Sequence, residues 1–292
     1  MDNRRPVEGR TITTDQPISQ PQAPPVCPRH PDRVAYVRCQ RCGRPACPEC
    51  QRPAAVGIQC VDCVRDAAKS APRTTTAVGG RVRRGRPTVT FTLIGICAVM
   101  FALQLTVPGW TGRFMYAPVL GVHEPWRFLT AAFLHSTGFF GHIIFNMWAL
   151  YVTGQFLEPV LGRARFTALC VLSALGGSVA VLLLASPAQA VVGASGMVFG
   201  LFGAMVPVLR RLGGSAAQII GLIAINGVIG FLVPGISWQG HLGGLVVGLA
   251  LGYGFAHAPR ERQKLFGWLL PAAVALVLVV AVVAKYAAVG VL

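Results

Sequence analysis

From residue 89 onward the sequence is a succession of apolar stretches about 17–22 residues long, the length a helix needs to cross the hydrocarbon core of a bilayer. They fall at roughly 89–107, 139–157, 166–185, 194–210, 216–233, 239–257 and 267–289. Lipid offers no hydrogen bonds, so every backbone N–H and C=O in such a stretch must be satisfied within the protein. Stretches this long do so as helices, and the fold class expected is an all-α polytopic membrane protein. Composition agrees. Charged residues are only 12% of the chain, against about a quarter in soluble globules. The first, third and last stretches are almost uniformly apolar and are expected to face lipid. The others carry Gly, Ser, Asn and His and are expected inside. Pro207 and the Gly213–Gly214 pair are expected to shorten the fourth and fifth.

The formal charge of +16 would suit nucleic acid if read alone. Its distribution argues against that partner. Most Lys and Arg lie before residue 89, and the rest cluster between apolar stretches. No apolar core or small-residue cleavage site marks the first 25 residues as a signal peptide, so the N-terminus is expected in the cytosol. One side of the membrane then holds Arg81, Arg83, Arg84, Arg86, Arg163, Arg165, Arg210, Arg211, Arg260, Arg262 and Lys264. The other holds Arg113, Arg127 and Lys285. This bias follows the positive-inside rule and places the C-terminus outside the cytoplasm. The setting expected is a plasma membrane, of bacterial type, with membrane lipids as neighbours. Residues 108–138 form a long first loop, mixed enough in apolar and Pro/Gly content to lie partly in the interface.

Polar groups at membrane depth are costly and need a reason. His142, Asn146, Ser195 and His241 stand near the starts of the second, fourth and sixth stretches. Those stretches run in one direction, so the four groups come to one depth on three helices. A shared, water-filled pocket explains that coincidence. His142 and Asn146 are four apart and share a helix face. Ser195 lies in Gly193-Ala194-Ser195-Gly196, where small neighbours leave its hydroxyl accessible. Gly196 and Gly200 form one small-residue stripe, and Gly240, Gly244, Gly248 and Gly252 another. Such stripes let helices pack closely. A serine hydroxyl becomes a nucleophile when a base takes its proton, and His241 is the candidate base. The acids after residue 88 are Glu124, Glu158 and Glu261, none suited to orient a buried His241. The chemistry expected is a Ser–His dyad. The backbone N–H groups at the Ala194–Ser195 helix start would hold the oxyanion. His142 and Asn146 would add side-chain donors.

In these residues the chain resembles the rhomboid family of intramembrane serine proteases, over about residues 89–257. The resemblance rests on Trp126-Arg127 in the first loop, His142-x-x-x-Asn146, Gly193-x-Ser195-Gly196, and His241 before a Gly-rich helix. It implies a six-helix bundle, a dyad of Ser195 and His241, oxyanion partners His142 and Asn146, and cleavage of single-span transmembrane substrates near the outer face. It also implies structural roles for Trp126, Arg127 and Glu158, and a seventh, C-terminal helix as in some members. Many members carry a Tyr four residues after the nucleophile; here Phe199 keeps the ring and loses the hydroxyl. The gap between His135 and His142 is longer than usual, so His135 is read as a loop residue. A proteolytically inactive relative that binds transmembrane helices is the alternative, although neither dyad residue is missing. A transporter would want acidic residues within the spans and repeated halves, and the sequence has neither.

Seven of the nine cysteines lie between Cys27 and Cys63. The pattern is Cys27-x2-His30, Cys39-x2-Cys42, Cys47-x2-Cys50 and Cys60-x2-Cys63. Eight ligands in four pairs fit two structural zinc ions. Some forty residues make too small a core to fold unaided, so metal would supply the folding energy. The module resembles B-box-type zinc domains. Those often pair Cys27, His30, Cys47 and Cys50 at one site and Cys39, Cys42, Cys60 and Cys63 at the other; sequential pairing fits the spacing equally well. A cytosolic partner of unknown identity is expected for it, and no nucleic acid. The domains expected are a disordered tail 1–26, the zinc module 27–65, a flexible basic linker 66–88, the protease domain 89–257, and a loop with the seventh helix over 258–292.

Overall fold

The computed structural model of the chain describes residues 23–70, 76–80, 86–233 and 235–291. The chain divides into two units, Met1–Pro72 and Arg73–Leu292. In the first, β1 (Val26–Cys27) pairs antiparallel with β2 (His30–Val34), and β3 (Gln51–Pro53) with β4 (Ile58–Cys60). Helix α1 (Val61–Ser70) follows. The buried cluster of this unit consists of six cysteines with Ala35 and Ala46. So little aliphatic volume cannot offset the entropy of ordering the chain.

The second unit is helical. In order come α2 (Thr88–Thr106), the short α3 (Trp110–Phe114), α4 (Pro118–Gly121) and α5 (Arg127–Thr130), then α6 (Gly141–Leu161), α7 (Arg163–Leu184), α8 (Ser195–Arg211), α9 (Ala217–Leu232), α10 (Trp238–His257) and α11 (Gln263–Ala288). By length and composition, α2, α7 and the segment Arg260–Ala288 are long and apolar enough to cross a membrane, and α9 is a shorter apolar helix. The fold class read from the sequence is the one found.

Glycine sets the centre of the bundle. A Cβ on Gly244 would lie 1.9 Å from Gly196 O, and one on Gly248 1.9 Å from Gly200 O. Helices α8 and α10 therefore touch backbone to backbone along the two stripes. Helix α7 completes the centre, and this differs from the expectation that it faces lipid. Most of α7 is buried. Its Gly176 and Gly177 lie against Gly243 and Gly240 of α10, so small residues within an apolar run outweigh its mean hydropathy. Helix α9, expected inside, has only Gly230 buried and is peripheral. Pro207 does not end α8, which continues to Arg211; tight packing on α10 holds it past the missing N–H.

Two further boundaries differ from the sequence reading. Of the tail 1–26, residues 1–22 lie outside the described residues, and Val26 pairs in β1. The linker 66–88 is structured at both ends. Helix α1 runs to Ser70, and residues 76–80 pack against the second unit's own core. Val78 is fully buried there. Thr76 Oγ1 donates to Val160 O at 2.6 Å, and Arg165 donates to Val78 O and Gln263 O. The Arg165 guanidinium also lies over the Phe255 ring, 5.5 Å from its centroid. A buried cation thus gathers α7, α10, α11 and this turn.

Glu158 is 3% exposed near the end of α6. Its carboxylate accepts from Val89 N at 3.0 Å, Thr90 N at 2.9 Å and Thr90 Oγ1 at 2.8 Å. Those backbone donors belong to the first turn of α2, where no intrahelical partner exists and the dipole favours an anion. Replacing Glu158 with Ala orphans two N–H groups, one buried and one partly buried. The expected loss is on the order of 3 kcal/mol, read as a lowered unfolding midpoint in detergent, with Glu158→Gln losing less.

Candidate active site

Ser195 is the first residue of α8, where the backbone N–H groups have no intrahelical acceptor. Gly193, two residues before it, has φ +133°, a conformation that L side chains rarely adopt. A Cβ at Gly193 would also lie 2.9 Å from His142 Nε2, and 3.7 Å from Ser195 Oγ. Both conditions select glycine, and they place the His142 ring edge beside the approach to Ser195.

The orientation of His142 follows from its other nitrogen. Nδ1 accepts from Ser136 N at 3.1 Å. A neutral imidazole with Nδ1 as acceptor carries its proton on Nε2. That N–H is the edge next to Gly193. Asn146, one turn further along α6, is 7% exposed and gives one amide hydrogen to His142 O at 2.8 Å. The second hydrogen of that amide remains to be given.

His241 lies in the first turn of α10 and stacks on Phe199 of α8, with centroids 4.1 Å apart and planes at 12°. Its Nδ1 is buried without a hydrogen-bond partner among the described residues and faces Gly230, where a Cβ would lie 3.1 Å away. Nε2 is therefore on the edge away from α9. Glu124 is tied to Arg127, and Glu158 caps α2 about 18 Å along α6 from Asn146. Neither carboxylate is placed to orient His241. A small-walled cavity beside Ser195 is lined by Ala132, Gly177, Val191, Gly193, Ser237 and Gly240.

The first loop is organised around Arg127. It is 6% exposed and donates to Gly112 O at 2.7 Å, to Met115 O at 2.8 Å and to Glu124. Trp126, expected to share that structural role, is 49% exposed; its backbone carbonyl accepts from Leu129 N and Thr130 N. His135 lies in the loop before α6, as expected, and is fully buried there, 5.2 Å from the His142 ring. Gln104 of α2 holds its backbone at both ends, with Nε2 donating to His135 O and Oε1 accepting from His135 N, both at 2.9 Å. A single amide in an otherwise apolar stretch is the sequence signal that marks Gln104.

In the other unit the cysteines and His30 fall into two groups. Cys27, His30, Cys47 and Cys50 form one, and Cys39, Cys42, Cys60 and Cys63 the other, with all ligand atoms of a group within 4.8 Å of one another. Of the two pairings the spacing permits, these are the interleaved one. His30 Nδ1 is 3.3 Å from Cys47 Sγ and 3.5 Å from Cys50 Sγ, and Cys42 Sγ is 3.8 Å from Cys60 Sγ. Ligands about 2.3 Å from a central tetrahedral ion are about 3.8 Å apart, so the donor set fits a metal. A disulfide would need about 2.05 Å, and all nine cysteines are free. Cys60 N donates to Cys39 Sγ at 3.2 Å and Arg44 Nε to Cys42 Sγ at 3.4 Å. The Arg44 side chain holds the Cys42 thiol below its ordinary range. Burial pushes Cys50 up to about 11. Crowded thiols cannot all ionise without a cation among them.

Comparison with known proteins supports these assignments at the level of family. The profile of the Rhomboid domain matches residues 122–258. The chain is 33% identical over 182 residues to Rhomboid protease GluP of Bacillus subtilis (strain 168), covering 57% of this chain and 34% of that protein. It is 35% identical over 174 residues to RHOMBOID-like protein 1 of Arabidopsis thaliana, covering 56% and 44%. With the Bacillus subtilis protein YdcA it shares 33% identity over 135 residues, 44% of this chain and 67% of YdcA. The chain thus spans less than half the length of the first two of these relatives.

Proposed function

The chain belongs to the rhomboid family, and on that premise we propose that it is an intramembrane serine endopeptidase acting through Ser195 and His241. The observation that carries the proposal is the join of α8 to α10. Backbone contact along the glycine stripes joins the two helices, and His241 of α10 stacks on Phe199, four residues after Ser195 on α8; both support a pairing of the imidazole with the serine hydroxyl. Ser195 Oγ attacks the scissile carbonyl and its proton passes to His241 Nε2. The oxyanion is held by the Ser195 N–H, by His142 Nε2–H and by the second amide hydrogen of Asn146. His241 then protonates the leaving amine, which departs and leaves an acyl-enzyme. A water, deprotonated by His241, attacks the ester carbon and restores Ser195.

The substrate proposed is a single-span membrane protein whose helix opens easily at Gly, Pro or small polar residues, because only an extended peptide presents its carbonyl. The small-walled cavity suits a small side chain next to the scissile bond. With the basic segments in the cytoplasm, Ser195 lies toward the outer face, and the N-terminal module is cytoplasmic with zinc at both sites. Incubating the purified protein with a model transmembrane substrate tests the reading. Wild type is expected to cleave, and to be labelled at Ser195 by a fluorophosphonate; Ser195→Ala is expected to do neither. Equal cleavage by the variant would overturn it. Asn146→Ala, which removes one oxyanion donor, is expected to lower kcat about 10²-fold with little change in KM.

A further inference from the structure

Helix α11 has two buried residues, Pro271 and Tyr286. Most of its length is exposed, yet Tyr286, two residues from its end, is 5% exposed. Its hydroxyl donates to Pro118 O at 2.8 Å, at the start of α4 in the first loop. Its ring belongs to a cluster with Tyr116, Phe128, Val179 and Leu182. Gly121 lies where these rings converge. A Cβ there would be 2.6 Å from Tyr286 Oη, 2.8 Å from Phe128 Cε2 and 2.9 Å from Tyr116 Cε2. A helix otherwise turned outward is thus fitted closely at one point.

That point is connected to the nucleophile. Tyr116 and Val191 exchange two backbone hydrogen bonds, Val191 N to Tyr116 O at 2.7 Å and Tyr116 N to Val191 O at 3.2 Å. Val119 N donates to Pro187 O at 3.0 Å. Gly193 N donates to Ala131 O at 2.9 Å. The segment 187–194 that delivers Ser195 is therefore hydrogen-bonded along its length to the first loop. Within that loop Arg127 ties residues 112 and 115 together. Tyr286 joins the whole assembly to α11.

We propose that α11 is a strut for the active site and that Tyr286 is a positioning residue, acting through Pro118 and the Tyr116–Val191 pair on the segment that sets Ser195. The proposal rests on the protease reading for its consequence in catalysis, but not for its structural content. A reacting atom misplaced by about 1 Å can cost up to 10²-fold in rate, so a lost tie is expected to act on kcat.

Two readouts test it on the full-length protein in detergent. The first is amide hydrogen exchange at Val191 and Gly193. Tyr286→Phe, which keeps the ring and loses the hydroxyl, is expected to speed exchange there about fivefold, and Tyr286→Ala more, with amides of α2 and α6 unchanged. The second is cleavage. Tyr286→Ala is expected to lower kcat about tenfold with KM within twofold, and Tyr286→Phe to recover part of that loss. Unchanged exchange at Val191 in Tyr286→Phe would overturn the strut, and does not require Tyr286→Ala to fold. Altered exchange with unchanged kcat would overturn the positioning role. If wild type neither cleaves nor takes the fluorophosphonate, the protease reading fails and the positioning role falls with it, while the exchange result still decides the strut.

Discussion

Ser195→Ala and His241→Ala are each expected to lower the cleavage rate by about 10⁴-fold or more, and the double variant by no more than the worse single one. The reason is that, in the proposed mechanism, the two side chains perform one proton transfer between them. Without His241 the hydroxyl has no acceptor for its proton. Without Ser195 the imidazole has nothing to activate. The residual rate would come from the oxyanion donors and from substrate binding, which both variants keep. Additive losses would show that the two residues act in separate steps. Neither Glu124, tied to Arg127, nor Glu158, tied to α2, is placed to orient His241. What orients the ring is the Phe199 stack. Phe199→Leu is therefore expected to act as a weaker version of His241→Ala, by loosening the base rather than removing it.

How far the site could be read in advance depended on whether its signal was chemical or geometric. His142, Asn146, Ser195 and His241 were legible because a polar group in an apolar stretch is conspicuous, and helix direction alone gives its depth. The glycine stripes were legible because they repeat every four residues. Mean hydropathy misled on α7, and the Gly and Asn residues of α9 misled in the other direction. Hydropathy does not distinguish a helix buried in protein from one buried in lipid, since both are apolar. The distinguishing feature was the run Gly176-Gly177-Ser178, whose small size permits contact with Gly240 and Gly243. Gln104 was missed because the groups its amide meets are the backbone N–H and C=O of His135, 31 residues away. Tyr286 was missed for the same reason. A tyrosine at the end of an apolar helix reads as an interfacial anchor, and nothing local shows that its hydroxyl meets Pro118.

Removing metal is expected to unfold the N-terminal unit while the helical unit keeps its structure. The buried cluster of that unit is six cysteines and two alanines, so packing supplies little. Binding of one structural zinc supplies on the order of 10–16 kcal/mol at neutral pH. Carefully prepared protein should carry about two zinc ions per chain, and less than about one would sink the two-site reading. Chelation should abolish the dispersed amide signals of residues 27–65. The interleaved grouping makes a sharper prediction, because it fixes which double variants share a site. His30 and Cys50 belong to one group, so His30→Ala with Cys50→Ser damages one site and is expected to retain about one zinc. His30 and Cys42 belong to different groups, so His30→Ala with Cys42→Ser damages both and is expected to retain none. Sequential pairing predicts the reverse order. Cobalt substitution adds an independent readout: the first double variant should keep the absorption of a four-thiolate site, because Cys39, Cys42, Cys60 and Cys63 are untouched. Loss of the four-thiolate absorption in that variant would contradict the grouping, since sequential pairing leaves three thiolates at each site.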